Sequence, residues 1–397
     1  IIPDGCADDP QELFDNQTPM QKAKLPNMDR LAQMGAVGRS NNVPKPLIPA
    51  SDVATLSLFG YPPLEVYTGR APLETAAMGI DLGPEDWAIR CNLIHVEDGI
   101  LRDFTAGHID NDTGSALIGS LQESLGGPVE GGQLEFHAGV SYRNILVFRA
   151  EEEAPFSPET KTQAPHDVPD QPTAEHLPVG PGSEILRHVM QHSQKIFANH
   201  PANQARQQAG KKTASQVWLW GQGRRPSLKL FSERFNRKGA IISAVDLVRG
   251  VGILLGWKRI DVEGATGYLD TDYDAKAAAA IEALPEHDLV CVHVEAPDEA
   301  SHEGLPEEKV KALERIDEAI VGPLMKELPK HGDWRMLVSP DHRTTLSTRA
   351  HAYGAVPFVI AGTGIESKNQ ASYDEVVAAE SELAFEKGHA LMPWFLA

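Results

Sequence analysis

The stretch "LVCVHVEAPDEASH", residues 289–302, decides the fold class. Its first half is a Val-rich apolar run, long enough for one buried strand and too short for a helix. It then runs directly into side chains that carry chemistry, Asp298 and His302 among them. The same arrangement occurs in "IIPDG" at 1–5 and in "WRMLVSPDH" at 334–342. Helical patterns such as "YDAKAAAAIEALPEH" and "PEEKVKALERIDEAIVGPLMKEL" lie between such runs, and "GAIISAVDLVRGVGILLGW" followed by "RIDVEGATG" adds a strand-helix-strand unit. This alternation predicts an α/β protein with a mostly parallel sheet flanked by helices. Ligands of such sheets bind beyond the carboxyl ends of the strands, which is where the polar residues fall.

The 397 residues are long for one core and suggest two domains. With 36 Lys+Arg against 56 Asp+Glu, the formal charge of −20 argues against nucleic acid or an anionic membrane as a partner and favours divalent cations as guests. Three widely separated cysteines, Cys6, Cys91 and Cys291, read as reduced thiols of a cytosolic protein. No apolar run has the roughly 18 residues of a membrane span, and the first residues lack the pattern of a signal peptide. The chain starts without an initiator Met, so a short upstream piece is expected to be missing.

The character changes between about 64 and 214. Strand-like pieces, "DWAIRCNLIHV" and "YRNILVFRA", precede a stretch from Glu151 to Gly182 with seven prolines, which excludes a regular helix or central strand there. We expect an inserted, smaller α/β domain at 64–214 within a frame made of 1–63 and 215–397.

Four segments of the frame bring potential ligands to one sheet edge: Asp4; Asp298 with His302; Asp341 with His342; and His351. Asp298 and His302 are four residues apart and share a face if the chain turns helical. Mixed Asp/His ligation suits Mn²⁺, Zn²⁺ or Fe²⁺ better than Ca²⁺, and so many ligands make two ions the economical reading. Taken singly, Asp4 reads equally well as a helix cap and Asp341-His342 as a turn. In "PASDVATLSLFGYPP", Ser51 stands at the head of a helical run, where unpaired N–H groups and the helix dipole favour an anion such as phosphate. A serine there is also the ordinary N-cap, and a metal-bound serine hydroxyl becomes a nucleophile.

The segments "PDG", "SDVATLSLFGY", "YTGRAPLE", "IRCN", "AGHI", "VEGATG", "DEASHEG" and "PDH" with its downstream His resemble, over nearly the whole chain, the alkaline phosphatase superfamily. Within it they resemble the archaeal-type 2,3-bisphosphoglycerate-independent phosphoglycerate mutases and their bacterial relatives. The resemblance implies an alkaline-phosphatase-like sheet and an inserted cap domain that excludes water. One metal would be held by Asp298, His302 and His351, the other by Asp4, Ser51, Asp341 and His342. The ions would be Mn²⁺, Mg²⁺ or Zn²⁺, and no bisphosphoglycerate would be needed. Ser51 would be phosphorylated in passing, and the substrate would be a small phosphorylated metabolite. Arg70 and Arg90 match family positions for substrate binding, with His108, His166 and Arg234 as further candidates. The region "KKTASQVWLWGQGRRP", with "AGHI" and "APHDVP", is similar to a bacterial branch proposed to contain homoserine kinases, so an ATP-dependent kinase of a small hydroxyl compound, or a phosphatase, is the alternative.

Overall fold

Strands β1 (Ile2–Pro3) and β5 (Leu289–Val294) pair in parallel, with β3 (Gly239–Ile242) and β4 (Lys258–Arg259) continuing the parallel array beyond β5. The structure, a computed structural model, describes residues 1–397. A second run of strands follows the order β6 (Arg335–Val338), β7 (Val356–Gly362), β2 (Ala36–Ser40), β8 (Ala384–Phe385). Ile1 joins the two runs, donating to Leu337 O at 2.8 Å and accepting from Ser339 N at 3.1 Å, the pattern of a parallel pair.

The sheet is mostly parallel, as expected. The exception is β7, which runs antiparallel to both β6 and β2. Its connection from β6 holds only a hairpin, Arg343–Thr345 with Ala350–Ala352, and no crossover helix, so the chain returns beside the strand it left. The helical patterns become Tyr273–Ala283 and Pro306–Ile316, the latter running on through Asp317–Val321 into Gly322–Glu327. Their apolar faces and the sheet form one core around Met28, Leu31, Val292, Val294, Leu313, Ile316 and Val359. No helix is long and apolar enough to cross a membrane.

The chain forms two compact units, Ile1–Tyr67 with Ser227–Ala397, and Thr68–Pro226. The second is built on an antiparallel sheet whose central strand, Trp87–Glu97, pairs with Arg143–Ala150 on one side and with Gln216–Arg224 on the other. That last strand carries the unit past residue 214. Helices Asn111–Leu125 and Ser183–Ala198 close its core. The proline-rich stretch is a loop with two single 3₁₀ turns, Pro165–Asp167 and Thr173–His176. It is held by Thr160 Oγ1 donating to Pro181 O (2.7 Å) and by a bridge between Lys161 and Val179.

Candidate active site

All of the predicted ligands lie in the first unit: Asp4, Asp298 with His302, and Asp341 with His342 follow β1, β5 and β6, His351 stands in the hairpin after β6, and Ser51 heads a helix. Asp4 follows β1 and is fully buried; its N–H donates to Val294 O (3.0 Å), which ties the loop after β1 to the end of β5. Asp4 caps no helix. Its carboxylate lies between His293 Nε2 (2.7 Å from Oδ2) and His342 Nε2 (3.4 Å from Oδ1). Gly5 has a φ of 57°, and a Cβ there would collide with the Asp298 carboxylate, so only glycine lets the backbone pass.

Ser51 begins helix α1 (Ser51–Leu58), but the N-cap position belongs to Ala50. The hydroxyl is therefore not spent on capping, and Oγ lies 3.1 Å from His342 Nε2. The neighbouring Asp52 braces the turn, accepting from Val53 N (2.9 Å) and from the Tyr67 hydroxyl (2.7 Å). Helix α2 (Ala296–Glu303) starts as β5 ends and presents Asp298 and His302 on one face, with Oδ2 and Nε2 3.0 Å apart. His351, from the hairpin, brings its Nε2 to 3.6 Å from the same Asp298 oxygen and 3.0 Å from His302 Nε2.

The histidine rings are oriented from behind. His302 Nδ1 faces Arg349 O at 2.9 Å and His351 Nδ1 faces Pro49 O at 3.1 Å. A carbonyl can only accept, so each Nδ1 carries a proton and each Nε2 is the nitrogen turned into the site. Two such nitrogens 3.0 Å apart beside a carboxylate require a shared cation or proton. Beside them, Asp4 Oδ1 and Asp341 Oδ2 are buried with no hydrogen-bond partner, and both lie within 3.5 Å of His342 Nε2. Buried carboxylate oxygens without donors are costly unless a positive charge sits among them. The donor atoms of Asp298, His342 and His351 form one group of metal-binding dimensions, and those of Asp4, Asp341 and His342 form another.

The electrostatics follow from this crowding. Burial, reinforced by Asp341, Glu295 and Asp298, holds the Asp4 carboxyl well above its ordinary range. Burial also opposes ionisation of Asp298, but hydrogen bonds to His302 and His351 outweigh it and hold that carboxyl well below its ordinary range. His302 moves the other way: burial disfavours its charge, yet the bond to Asp298 raises it to about 9. Burial lowers His342.

Sequence reasoning did not find His293 and Glu295. They alternate on β5 and its exit, so both face Asp4, and the Asp4, His293 and Glu295 donor atoms form a third compact group. The signal was the period of two in "VHVE". His293 is further fixed by Ser243 Oγ at 3.1 Å from Nδ1, while the fully buried Lys276 donates to its carbonyl at 3.2 Å. Thr344 was also missed.

The hairpin that carries His351 rests on a buried ion pair. Lys309 Nζ lies 2.8 Å from Asp8 Oδ2 and donates to Thr344 O at 2.8 Å, with both charged groups inaccessible. Lys309→Met should cost about 3–5 kcal/mol of stability, because Asp8 is left as an uncompensated buried charge. Adding Asp8→Asn should recover part of it. Thermal melts of both variants check this; an unchanged melt for the single variant excludes the role.

In the second unit, Arg70, Arg90 and His166 gather around one indole, Trp220. The guanidinium carbons lie 5.8 and 4.3 Å from its ring centre and the imidazole 5.2 Å. Arg90 is buried and paired with Glu74 at 2.8 Å; burial lowers its pKa. His108 is exposed in the turn after Phe104, at a φ of 46°. Arg234 belongs to the first unit, its guanidinium 4.9 Å from the centre of the Tyr61 ring.

Comparison with known proteins identifies the family. The family model described as 2,3-bisphosphoglycerate-independent phosphoglycerate mutase matches residues 32–203. A protein of that name from Methanothrix thermoacetophila is 44% identical, over 100% of this chain and 98% of its own. A probable one from Geobacter sulfurreducens is 43% identical, over 100% and 98%. Among solved structures, a protein from Pyrococcus horikoshii superposes with a TM-score of 0.82 at 28% identity, covering 100% of this chain and 95% of that one. The cofactor-independent phosphoglycerate mutase of Thermoplasma acidophilum shares the fold, with a TM-score of 0.66 at 24% identity and coverage of 100% and 97%. Similarity that runs end to end at this level of identity places the chain in the 2,3-bisphosphoglycerate-independent phosphoglycerate mutase family.

Proposed function

We propose that this protein interconverts 3-phosphoglycerate and 2-phosphoglycerate through a phosphorylated Ser51, with no bisphosphoglycerate. The observation that carries this reading is the Ser51 hydroxyl, free of capping duty at a helix head, beside an Asp/His cluster in which two buried carboxylate oxygens, Asp4 Oδ1 and Asp341 Oδ2, have no hydrogen-bond partner. Two divalent ions, Mn²⁺, Mg²⁺ or Zn²⁺, fit that cluster: Asp298, His302 and His351 would hold one, and Asp4, Ser51, Asp341 and His342 the other. Bound there, such ions would supply positive charge for the phosphoryl oxygens and make the Ser51 hydroxyl a better nucleophile.

The remaining work belongs to the chain. Ser51 Oγ gives up its proton and forms a bond to phosphorus as the bond from phosphorus to the C3 oxygen of the glycerate breaks, and the departing C3 oxygen takes up a proton to become a hydroxyl. The N–H groups at the head of α1 would donate to the transferred phosphoryl group. Glycerate turns, its C2 hydroxyl attacks the phosphoserine, and the serine hydroxyl is restored. Arg70, Arg90, His108, His166 and Arg234 are our candidates for holding the phosphate and carboxylate, arginine being the better bidentate partner for both. The cytoplasm, where such metabolites are made, is the compartment we assign.

The test is to mix the protein, Mn²⁺ and 3-phosphoglycerate, without ATP or bisphosphoglycerate, and to couple the product to enolase. Phosphoenolpyruvate is the expected product. Its absence, with homoserine phosphorylated once ATP is supplied, would replace this reading by the kinase; release of inorganic phosphate alone would replace it by a phosphatase.

A further inference from the structure

We propose that Thr344 is a positioning residue whose one hydroxyl couples the two halves of the ligand cluster, fixing Asp298 on one side and His342 on the other. The proposal rests on the metal reading given above. Thr344 lies in the hairpin directly opposite His351 and is fully buried. Its backbone is held independently of its side chain, the N–H by Ala7 O (3.2 Å) and the carbonyl by Lys309 Nζ (2.8 Å). The hydroxyl oxygen is thereby placed 2.5 Å from Asp298 Oδ1 and 3.1 Å from His342 Nδ1.

A hydroxyl has one proton to give. At this separation from an ionised carboxylate the proton goes to Asp298, a short charge-assisted bond. The lone pairs of the same oxygen are then left to accept from His342, so Nδ1 must carry its proton. The only other group facing Nδ1 is Arg343 O at 3.3 Å, which can also only accept. Both partners therefore demand the same tautomer, and Nε2 presents its lone pair to Ser51 Oγ, Asp4 Oδ1 and Asp341 Oδ2.

Two consequences follow. Asp298 has Oδ1 occupied, so Oδ2 alone faces His302 and His351. His342 is held as a ligand rather than as a donor competing with a cation. Removing the hydroxyl frees the carboxylate and relaxes the ring at once, so both halves of the cluster should weaken together. Losing partners behind metal ligands typically costs about 10–100-fold in affinity.

The experiment compares Thr344→Val, which keeps the branched shape, with Thr344→Ser, which keeps the hydroxyl. The metal-free full-length proteins are titrated with Mn²⁺, and free ion is followed by its electron paramagnetic resonance signal. We expect two ions per wild-type chain, about 10–100-fold weaker binding at both steps in Thr344→Val, and near wild-type binding in Thr344→Ser. Unchanged binding in Thr344→Val, loss at one step only, or an equal loss in Thr344→Ser would each overturn the coupling role. Nitrogen-15 shifts of His342 in the unaltered, metal-free protein give a test that needs no folded variant: a proton on Nε2 instead of Nδ1 overturns the proposal. A wild-type chain that takes up no Mn²⁺ overturns the metal reading itself, and does so before any substitution is compared.

Discussion

Ser51→Ala should lower turnover by about 10⁴-fold or more, the scale on which nucleophile deletions act, and leave stability within about 0.5 kcal/mol. The first effect follows because no other hydroxyl stands at the head of α1 beside His342 Nε2. The second follows because Ala50, not Ser51, holds the N-cap position, so no cap is lost, and little apolar area changes. The enolase-coupled rate and a thermal melt measure both on the same preparation. A variant that keeps more than a small fraction of the wild-type rate would remove Ser51 from the reaction. One that is inactive and unstable would make the serine a structural residue.

Asp298→Asn should be nearly as damaging for a different reason. One oxygen of this carboxylate faces two imidazole nitrogens and the other takes the Thr344 proton, so the amide must turn an N–H toward one of them. Metal content, measured by mass spectrometry after dialysis, should fall from two ions per chain to one. Turnover should fall by about 10²–10³-fold, the scale seen when one preorganised electrostatic group is removed from a reaction centre. Two ions retained at full occupancy would reject the grouping of Asp298 with His302 and His351.

These residues were legible because of where they fall. Asp4, Asp298 and Asp341 each follow an apolar run at the point where a strand must end, and a parallel sheet collects such ends on one edge. His293 was hidden for the converse reason: it sits inside the apolar run, where a histidine reads as core, and only its spacing from Glu295 hinted otherwise. Thr344 gave no signal in "HRTTLST", where several hydroxyls are equivalent on paper and the deciding partner, Asp298, is 46 residues away. Trp220 reads as packing in "QVWLWGQG", although it is the ring that gathers Arg70, Arg90 and His166. The direction of β7 depended on how little chain separates it from β6, which strand propensity does not report. Ala50 in the N-cap position could not be told from the sequence, where Ser51 was the better candidate.

The pairing of β1 with β5 sets a schedule for synthesis on the ribosome. Ile2 and Pro3 wait for His293 and Val294, nearly three hundred residues downstream. At translation rates of about 5–20 residues per second, the first strand stays without its neighbour for about 15–60 s. Thr68–Pro226 is complete before that and can form its own core, so the growing chain carries a folded middle on an unfinished frame. A ribosome that stalls before residue 289 would thus release a chain with a formed insert and no means of assembling the cluster around Ser51.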